Sequence, residues 1–262
     1  MLVAALQTYI GQSYQKNLAS AKKLILKATK QGAVICCLPE YFSFPRQEVL
    51  SPELVESVRN ETLTFLEEMS LETRSVLVGG SVLEITNRGY KNVCYVFDSG
   101  QRLARIEKQM VTAGEKVLGV VSGSQKDLFN INGIPATVRI CADILFPETC
   151  LGLRGKVRLL FVPLISPVRQ VDPTRERRDC LFIVRAFDTN SFIVKTGAVG
   201  LAPLSGNQIA GRSLIAAPNG ILARASKEDQ EIMLLQDLDF ETLADFDLVG
   251  EMFPPKTIDY QL

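Results

Sequence analysis

Short runs of consecutive apolar residues, each about as long as one strand, constrain this chain more than any other feature. Residues 33–38 (AVICCL) form such a run, which ends at Pro39 and Glu40. Residues 17–31 precede it, with apolar residues at helical spacing, lysines on the opposite face and Gly32 as a stop signal. A run without polar alternation predicts a strand that is covered on both faces. We therefore expect a layered α/β fold in which other elements enclose a central sheet.

The same patterns predict the remaining elements. Ser51 is a suitable N-cap and Pro52 a suitable first residue for a helix that runs to about residue 73. A second long helix is predicted over residues 173–190, with Asp172 as its N-cap. The strands are predicted at residues 2–9, 75–82, 92–98, 102–107, 127–131, 134–141, 157–164, 192–196, 213–217, 221–225 and 232–238. 

The order of these elements predicts mixed sheets with helices on the outside. No linker or repeat interrupts the chain, so we expect one α/β domain over residues 1–262. Residues from about 249 to 262 contain two adjacent prolines and are expected to be a C-terminal tail, for which an oligomer interface is one expected place.

Charge and hydropathy exclude several classes of partner. Lys and Arg total 29, as do Asp and Glu, so no net basic field exists for nucleic acid or anionic membranes. No stretch reaches the roughly 18 apolar residues of a membrane span. The first residues, MLVAALQTYIGQ, lack the charged region and cleavage site of a signal peptide and predict a strand instead. We expect a cytoplasmic protein without nucleic-acid or membrane partners.

The sequence contains no histidine, which restricts its chemistry. Ser-His-Asp and Cys-His catalysis and His-based zinc sites are excluded, so a catalytic base must be a carboxylate, lysine, tyrosine or thiolate. The six cysteines lie mostly in or beside apolar runs and include no Cys-x-x-Cys pair. Such cysteines are typical of buried packing, so neither structural disulfides nor redox chemistry is expected.

Three residues at the ends of predicted strands are candidates for chemistry. Cys141 ends the run ATVRIC, where its thiol can face a cleft and the N–H of Ala142 can bind an oxyanion. Glu40 follows a buried strand, where desolvation raises the pKa of a carboxyl group and suits it as a base. Lys108 closes an alternating strand. Each alone also fits an ordinary role: buried packing for the cysteine, a surface loop for the glutamate and a solvated strand end for the lysine.

Taken together, the three segments resemble the nitrilase, or carbon–nitrogen hydrolase, superfamily along nearly the whole chain. Glu40 lies in LPEYF, like the family's Leu-Pro-Glu block, and Lys108 follows a glycine-turn strand similar to the family's. Cys141 lies in ICADILFPE, which resembles the Cys-x-Asp-x-x-Phe-Pro-Glu block, the most specific of the three. Further similarities are the segments RAFDTN, GRS and PNG.

The resemblance implies a four-layer αββα sandwich that pairs with a second copy, as a homodimer or higher homo-oligomer, and requires no metal or cofactor. It implies that Cys141 is the nucleophile, that Glu40 is the base and that Lys108 stabilises the oxyanion. Glu115 fits the family's second glutamate, which supports the lysine. The oxyanion- and substrate-binding positions implied in this way are Tyr41, Ala142, Asp143 and Phe146.

The sequence also indicates a substrate branch. Ala142 and Asp143 follow the cysteine where true nitrilases typically have Trp-Glu, which favours an amidase. Leu145 stands where some carboxylate-recognising members have arginine, so we hypothesise a small neutral or weakly polar amide. The predicted pocket loop over residues 166–178 contains Arg169 and Arg175, which leave a carboxylate-bearing or N-carbamoyl substrate open.

Departures from the family pattern bear on the substrate more than on the chemistry. Ile106 and Glu107 replace the usual Tyr-Arg before the lysine, Met110 replaces a histidine, and Asp188 replaces a glutamate. Four alternatives to an amidase remain: a catalytically silent binding or scaffold subunit, a nitrile or N-carbamoyl hydrolase, an acyltransferase and a cysteine redox protein.

Overall fold

Two β-sheets stacked face to face form the centre of the structure, a computed structural model that describes residues 1–11, 13–46, 50–124 and 128–252. The strands in these ranges are β1 (Leu2–Gln7), β2 (Tyr9–Ile10), β3 (Ile35–Cys37), β4 (Val76–Val78), β5 (Val82–Thr86), β6 (Gly89–Asp98), β7 (Gln101–Glu107), β8 (Phe129–Ile131), β9 (Ile134–Val138), β10 (Leu159–Leu164), β11 (Phe192–Gly197), β12 (Val199–Leu201), β13 (Gln208–Ile209), β14 (Leu214–Ala217), β15 (Gly220–Arg224) and β16 (Ile232–Asp237). The helices are α1 (Tyr14–Lys30), α2 (Pro52–Thr73), α3 (Ala113–Val117), α4 (Arg175–Thr189), α5 (Thr242–Asp245) and α6 (Leu248–Met252), with 3₁₀ turns at Cys141–Leu145 and Pro147–Thr149.

Each large sheet combines parallel and antiparallel pairs. The first has the order β16-β1-β3-β4-β6-β5, with β7 paired to the other edge of β6, and its β1, β3 and β4 are parallel. The second has the order β15-β14-β11-β10-β9-β8, with β9, β10 and β11 parallel. A small sheet contains β13, β12 and β2. The expectation of mixed sheets is confirmed.

Alternating residues of the central strands face two different cores. In β3, Ile35 and Cys37 belong to the core between the two sheets, whereas Cys36 packs toward α1 and α2. This is the two-residue period of a strand, here apolar on both faces. On the other side, α4 packs against the second sheet through Phe182 and Ala186. The layers are therefore helix, sheet, sheet and helix, which confirms the predicted αββα sandwich.

The long helices are amphipathic rather than uniformly apolar. In α1, Leu24, Ile25 and Ala28 are buried, whereas Lys27 and Lys30 occupy the last turn, where cations complement the helix dipole. No helix in the described part of the chain combines the length and the apolar character that a membrane crossing requires.

Several element boundaries differ from the predictions. α2 has the predicted bounds and the predicted cap, since Ser51 accepts a hydrogen bond from the N–H of Leu54 at 3.2 Å. α4 instead begins after Thr174, whose hydroxyl accepts from the N–H of Arg177, while Asp172 forms an ion pair with Arg212. The prediction of Asp172 as the cap is therefore wrong, because an available arginine competes for its carboxylate.

The predicted strand at residues 75–82 is two strands, β4 and β5, which pair with the same edge of β6. The interruption contains Gly79 and Gly80, and Gly80 has φ +57°. A Cβ atom at Gly80 would lie 1.9 Å from the carbonyl oxygen of Pro39, so only glycine permits this approach. The break therefore accommodates the turn that carries Glu40.

Two predicted segments extend beyond the described residues. Residue 127 of the predicted strand 127–131 lies outside them, and the remainder contains β8. Of the predicted tail, residues 249–252 fall in α6, whereas residues 253–262 lie outside the described ranges.

Candidate active site

A cavity of about 610 Å³ opens beside the residues that follow the carboxyl ends of several strands. Glu40 follows β3, Lys108 follows β7, Cys141 follows β9 and Ile165 follows β10, and all four line the cavity. Strand ends of this kind form the usual sites of α/β folds, and the volume suits a small molecule.

Glu40 is held in a buried turn by contacts to both sheets. Its side chain is 3% exposed, and its Oε1 accepts from Lys108 Nζ at 2.8 Å and from Asn92 Nδ2 at 2.9 Å. Its Oε2 accepts from the backbone N–H of Ile165 at 3.1 Å. The next residue, Tyr41, has φ +53°, and its N–H donates to Ser81 O at 3.1 Å. The carboxylate is therefore fixed before any ligand arrives.

Lys108 lies between two carboxylates. The residue is 1% exposed, and its ammonium donates to both carboxylate oxygens of Glu115 at 2.8 Å in addition to Glu40. Burial alone would lower the pKa of Lys108, but the charges of Glu40 and Glu115 raise it above its ordinary value. The lysine is therefore charged at neutral pH and cannot act as a base.

Glu115 is oriented by a short helix. Thr112 and Glu115 form a capping box at the start of α3, in which Thr112 N and Oγ1 each donate to Glu115 Oε2 at 2.9 Å. The hydroxyl of Tyr41 donates to Glu115 Oε1 at 3.0 Å. Burial opposes ionisation of this carboxyl, but Lys108 and these donors lower its pKa below the ordinary value. Glu115 thus provides a fixed negative charge.

The pKa of Glu40 is shifted in the opposite direction. Burial and then the charge of Glu115 raise it, against the influence of Lys108. The Cys141 thiol donates to Ile165 O at 3.8 Å, and the N–H of Ile165 donates to Glu40. Burial together with the Glu40 charge raises the pKa of that thiol as well. The cysteine is consequently a protonated thiol beside a carboxylate that accepts protons more readily than usual.

Cys141 occupies the first position of a 3₁₀ turn with φ +50°, an uncommon conformation for a residue with a side chain. The turn is fixed by the buried carboxylate of Asp143, which accepts from the N–H groups of Ile140 at 3.0 Å, Gln109 at 3.0 Å and Met110 at 2.7 Å. Asp143 thereby connects the turn of Cys141 to the segment after Lys108.

The structure brings most of the predicted site residues together. Glu40, Tyr41, Lys108, Glu115, Cys141 and Ala142 all line the cavity. Asp143 and Phe146 do not. Asp143 is fully buried beneath the turn, where its carboxylate accepts hydrogen bonds from three backbone N–H groups. Phe146 lies outside the lining and is 38% exposed. The structure therefore does not bring these two side chains into the cavity with the others, and their role in binding oxyanion or substrate stays a prediction.

The predicted pocket loop contributes Ser166, Pro167, Arg169, Asp172, Pro173 and Arg178 to the lining. Arg175, the other arginine considered there, is not among the described lining residues. Among the residues that the structure describes, no group of three or more Cys, Asp or Glu side chains is arranged to hold a metal ion.

Three residues of the site gave no sequence signal of function. Asn92 donates to Glu40 and also to Glu115 Oε1, at 3.1 Å, and Thr112 is the cap of a helix too short to predict. Lys195 lines the cavity from the middle of β11. In the sequence, Lys195 stands out only as a lysine within a mostly apolar strand, and this pattern does not indicate that the side chain borders a cavity.

Comparisons with known proteins agree on one family. The sequence model of the carbon–nitrogen hydrolase family matches residues 2–247. Omega-amidase NIT2 of Bos taurus is 26% identical over 98% of this chain and 95% of its own length. The 2-oxoglutaramate amidase of Bacillus subtilis is 27% identical over 82% of each chain. In fold, the carbon–nitrogen hydrolase from Helicobacter pylori G27 superposes with a TM-score of 0.85 at 17% identity, over 100% of this chain and 96% of that one.

Proposed function

The chain belongs to the carbon–nitrogen hydrolase family, and on that premise we propose that it hydrolyses a small amide to a carboxylic acid and ammonia through a thioester on Cys141. The observation that carries this proposal is the buried cluster in which Cys141 and Glu40 interact while Lys108 joins Glu40 to Glu115. Such a cluster supplies a nucleophile, a base and a fixed positive charge in one cavity.

In the first half of the reaction, the Cys141 sulfur attacks the amide carbon as Glu40 accepts the thiol proton. The pKa values of the thiol and of Glu40 are both raised. Transfer of the thiol proton to the Glu40 carboxylate is therefore more favourable than release of that proton by the thiol alone. The carbonyl oxygen becomes an oxyanion, for which Lys108 and the N–H of Ala142 are the proposed donors. Glu40 then gives its proton to the leaving nitrogen, the C–N bond breaks, and ammonia departs.

In the second half, water takes the place vacated by ammonia. Glu40, again a carboxylate, accepts a proton from the water as its oxygen attacks the thioester carbon. The second tetrahedral intermediate collapses with cleavage of the C–S bond, and the proton on Glu40 returns to the sulfur. The free acid leaves and the thiol is restored.

The opposite pKa shifts of the two glutamates support this division of roles. A group that exchanges protons in every cycle needs a pKa moved toward neutrality, as at Glu40, whereas a permanent counter-ion needs a lowered one, as at Glu115. The names of the bovine and Bacillus relatives, an omega-amidase and a 2-oxoglutaramate amidase, agree with an amide substrate.

The test is ammonia release from a panel of amides, N-carbamoyl compounds and nitriles by the wild type, Cys141→Ala and Cys180→Ala. Cys180 is an exposed free cysteine on α4 and provides the matched thiol control. We expect turnover of at least one amide, loss of at least about 10³-fold in Cys141→Ala, as for a missing nucleophile, and wild-type rates in Cys180→Ala.

Three results would contradict the proposal. Amide turnover that persists in Cys141→Ala would exclude the thioester. Ammonia release from nitriles or N-carbamoyl compounds, without release from any amide, would indicate a nitrile or N-carbamoyl hydrolase, the alternative that the sequence left open. If the folded wild type releases no ammonia, iodoacetamide reactivity decides: an inert Cys141 would indicate a silent binding subunit.

A further inference from the structure

Lys195 is a buried lysine in the wall of the cavity that contains Cys141. It lies in the middle of β11, paired with Val162 of β10, and is 4% exposed. Its ammonium lies 4.7 Å from the ring centroid of Phe182, which belongs to the same apolar cluster as Cys141. Within the described residues, no carboxylate oxygen lies within ion-pair distance of this ammonium.

The cavity wall around Lys195 is predominantly basic. Apart from the cluster of Glu40, Lys108 and Glu115, the charged lining residues in the described ranges are Arg169, Asp172, Arg178, Lys195 and Arg212. Four basic side chains and one carboxylate therefore belong to the lining, and Glu228, which pairs with Arg178 and Arg212, lies just behind it. Such a wall favours an anion over a neutral or cationic ligand.

The nearby arginines already have partners. Arg178 contacts Glu228 at 2.7 Å, and Arg212 contacts Glu228 at 2.8 Å and also Asp172. These ion pairs fix the arginine side chains and leave Lys195 as a buried lysine of the cavity lining that is not paired with a carboxylate in the described ranges. A buried cation without a counter-ion is costly, so an anion supplied by the ligand would relieve that cost.

We propose that Lys195 binds an anionic group of the substrate, a carboxylate, while the amide lies against Cys141. This inference rests on the proposed function and specifies its substrate class, namely amides that carry a carboxylate, such as monoamides of dicarboxylic acids. Lys195 is then a specificity-determining residue. The hypothesis of a neutral amide rested on Leu145, which lies in the segment after Cys141. Lys195 lies on a different strand, β11, which that hypothesis did not consider.

The protonation of Lys195 supports the assignment. Burial, followed by the charges of Arg178 and Arg212, lowers its pKa to about 7, with Asp179 and Glu228 opposing the shift. Near neutral pH the free amine is therefore only partly protonated. A carboxylate beside it favours the ammonium, so substrate binding takes up a proton and weakens as the pH rises through about 7.

The experiment compares succinamate with succinamide. Both carry the same primary amide, but the opposite end is a carboxylate in succinamate and a neutral carboxamide of the same shape in succinamide. The variants are Lys195→Met, which keeps the side-chain length, and Lys27→Met, in which an exposed lysine of α1 serves as the control. Thermal unfolding verifies that each variant folds.

We expect Lys195→Met to raise KM for succinamate by about tenfold or more, as for the loss of a charge-assisted contact, with a smaller change in kcat. KM for succinamide should stay within about twofold, and Lys27→Met should match the wild type for both amides. In the wild type, KM for succinamate should also rise with pH through about 7 relative to that for succinamide. This last measurement needs no variant.

Failure of the inference differs from failure of the proposed function. If both amides are hydrolysed with equal KM and Lys195→Met changes neither, the carboxylate site is overturned and the hydrolase stands. If neither is hydrolysed, protection of Cys141 from iodoacetamide by succinate provides the test. Protection that is lost in Lys195→Met supports the site, and no protection by succinate overturns it.

Discussion

Glu40 and Glu115 contact the same ammonium, so their different surroundings, rather than Lys108, separate their pKa values. Glu115 also accepts two hydrogen bonds from Thr112 and one from Tyr41, all of which favour its ionised form. Glu40 has fewer donors and is more completely buried. Asn92 is the shared element, since its Nδ2 donates to both carboxylates. At this scale the site depends on individual donors.

Replacing Asn92 by Asp should move the acid limb of the pH–rate profile. The change keeps the shape of the side chain, which is 1% exposed, but removes the donor and adds a third carboxyl group beside Glu40. Both effects raise the pKa of Glu40 further, and Glu40 must be ionised to accept the thiol proton. We expect the acid limb of kcat/KM to move to higher pH and kcat/KM at pH 7 to fall by about tenfold or more.

Asn130→Asp is the matched control. Asn130 lies on the exposed side of the β8–β9 hairpin, where its Oδ1 accepts from the N–H of Gly133, and aspartate retains that acceptor. Its pH profile should coincide with that of the wild type. An unshifted acid limb in Asn92→Asp would mean that Asn92 does not influence the base.

Sequence motifs predicted the residues that end strands but not those inside them. Glu40, Lys108 and Cys141 stand at fixed places in recognisable segments, and the cavity contains all three. Asn92 and Lys195 lie within β6 and β11, where a polar residue gives no indication of what it faces. Their partners come from other strands and helices, so only the tertiary arrangement reveals their function.

At the scale of elements, strand positions were more predictable than strand ends. The apolar pattern of residues 75–82 continues through Gly79, so it indicates one strand, yet the chain must leave the ladder there to admit Pro39. The cause is a contact with a distant segment. The cap of α4 was mispredicted for the same reason, because Arg212, which pairs with Asp172, is 40 residues away.

Gly80→Ala should disturb both stability and activity. The new Cβ would lie 1.9 Å from the Pro39 carbonyl oxygen, and the backbone at φ +57° disfavours any side chain. We expect a loss of at least about 2 kcal/mol in the free energy of unfolding, measured with urea, since strain and a backbone clash act together. Activity should also fall, because the displaced carbonyl directly precedes Glu40.

Gly133→Ala separates these two effects. Gly133 has φ +88°, but a Cβ there meets no atom within 4 Å among the described residues. It should cost only about 1 kcal/mol of unfolding free energy and leave kcat/KM unchanged. Equal effects of the two substitutions would show that the contact between Gly80 and Pro39 does not position the base.

At the scale of the whole molecule, the sandwich buries polar side chains among its apolar residues. Among these, the charged residues of the site are the ones whose burial lowers the stability of the fold. Lys108 is compensated by two carboxylates, whereas Lys195 has an aromatic ring and no paired carboxylate in the described ranges. The apolar runs predicted a layered fold but gave no indication of this buried charge. A protein that retains such a residue gives up stability for function.

Lys195→Met should therefore stabilise the protein at neutral and acidic pH. The ordinary lysine pKa of 10.5 falls to about 7 in the folded state, so between these values the unfolded chain binds the proton and the folded chain does not. The free energy of unfolding then rises with pH across this window, and the penalty is largest below about pH 7. The methionine variant lacks this penalty, so we expect it to be more stable by about 2–4 kcal/mol at pH 6, with the difference shrinking toward pH 10.

Urea unfolding of the wild type, Lys195→Met and Lys27→Met at pH 6, 7.5 and 9 measures the effect. The Lys27 control, an exposed substitution on α1, should follow the wild type within about 0.5 kcal/mol at every pH. A Lys195→Met protein that is less stable than the wild type at pH 6 would mean that the lysine stabilises the fold. Its place in the cavity would then need no anionic substrate. Greater stability together with the loss of preference for succinamate would instead show that one side chain lowers stability and selects the ligand.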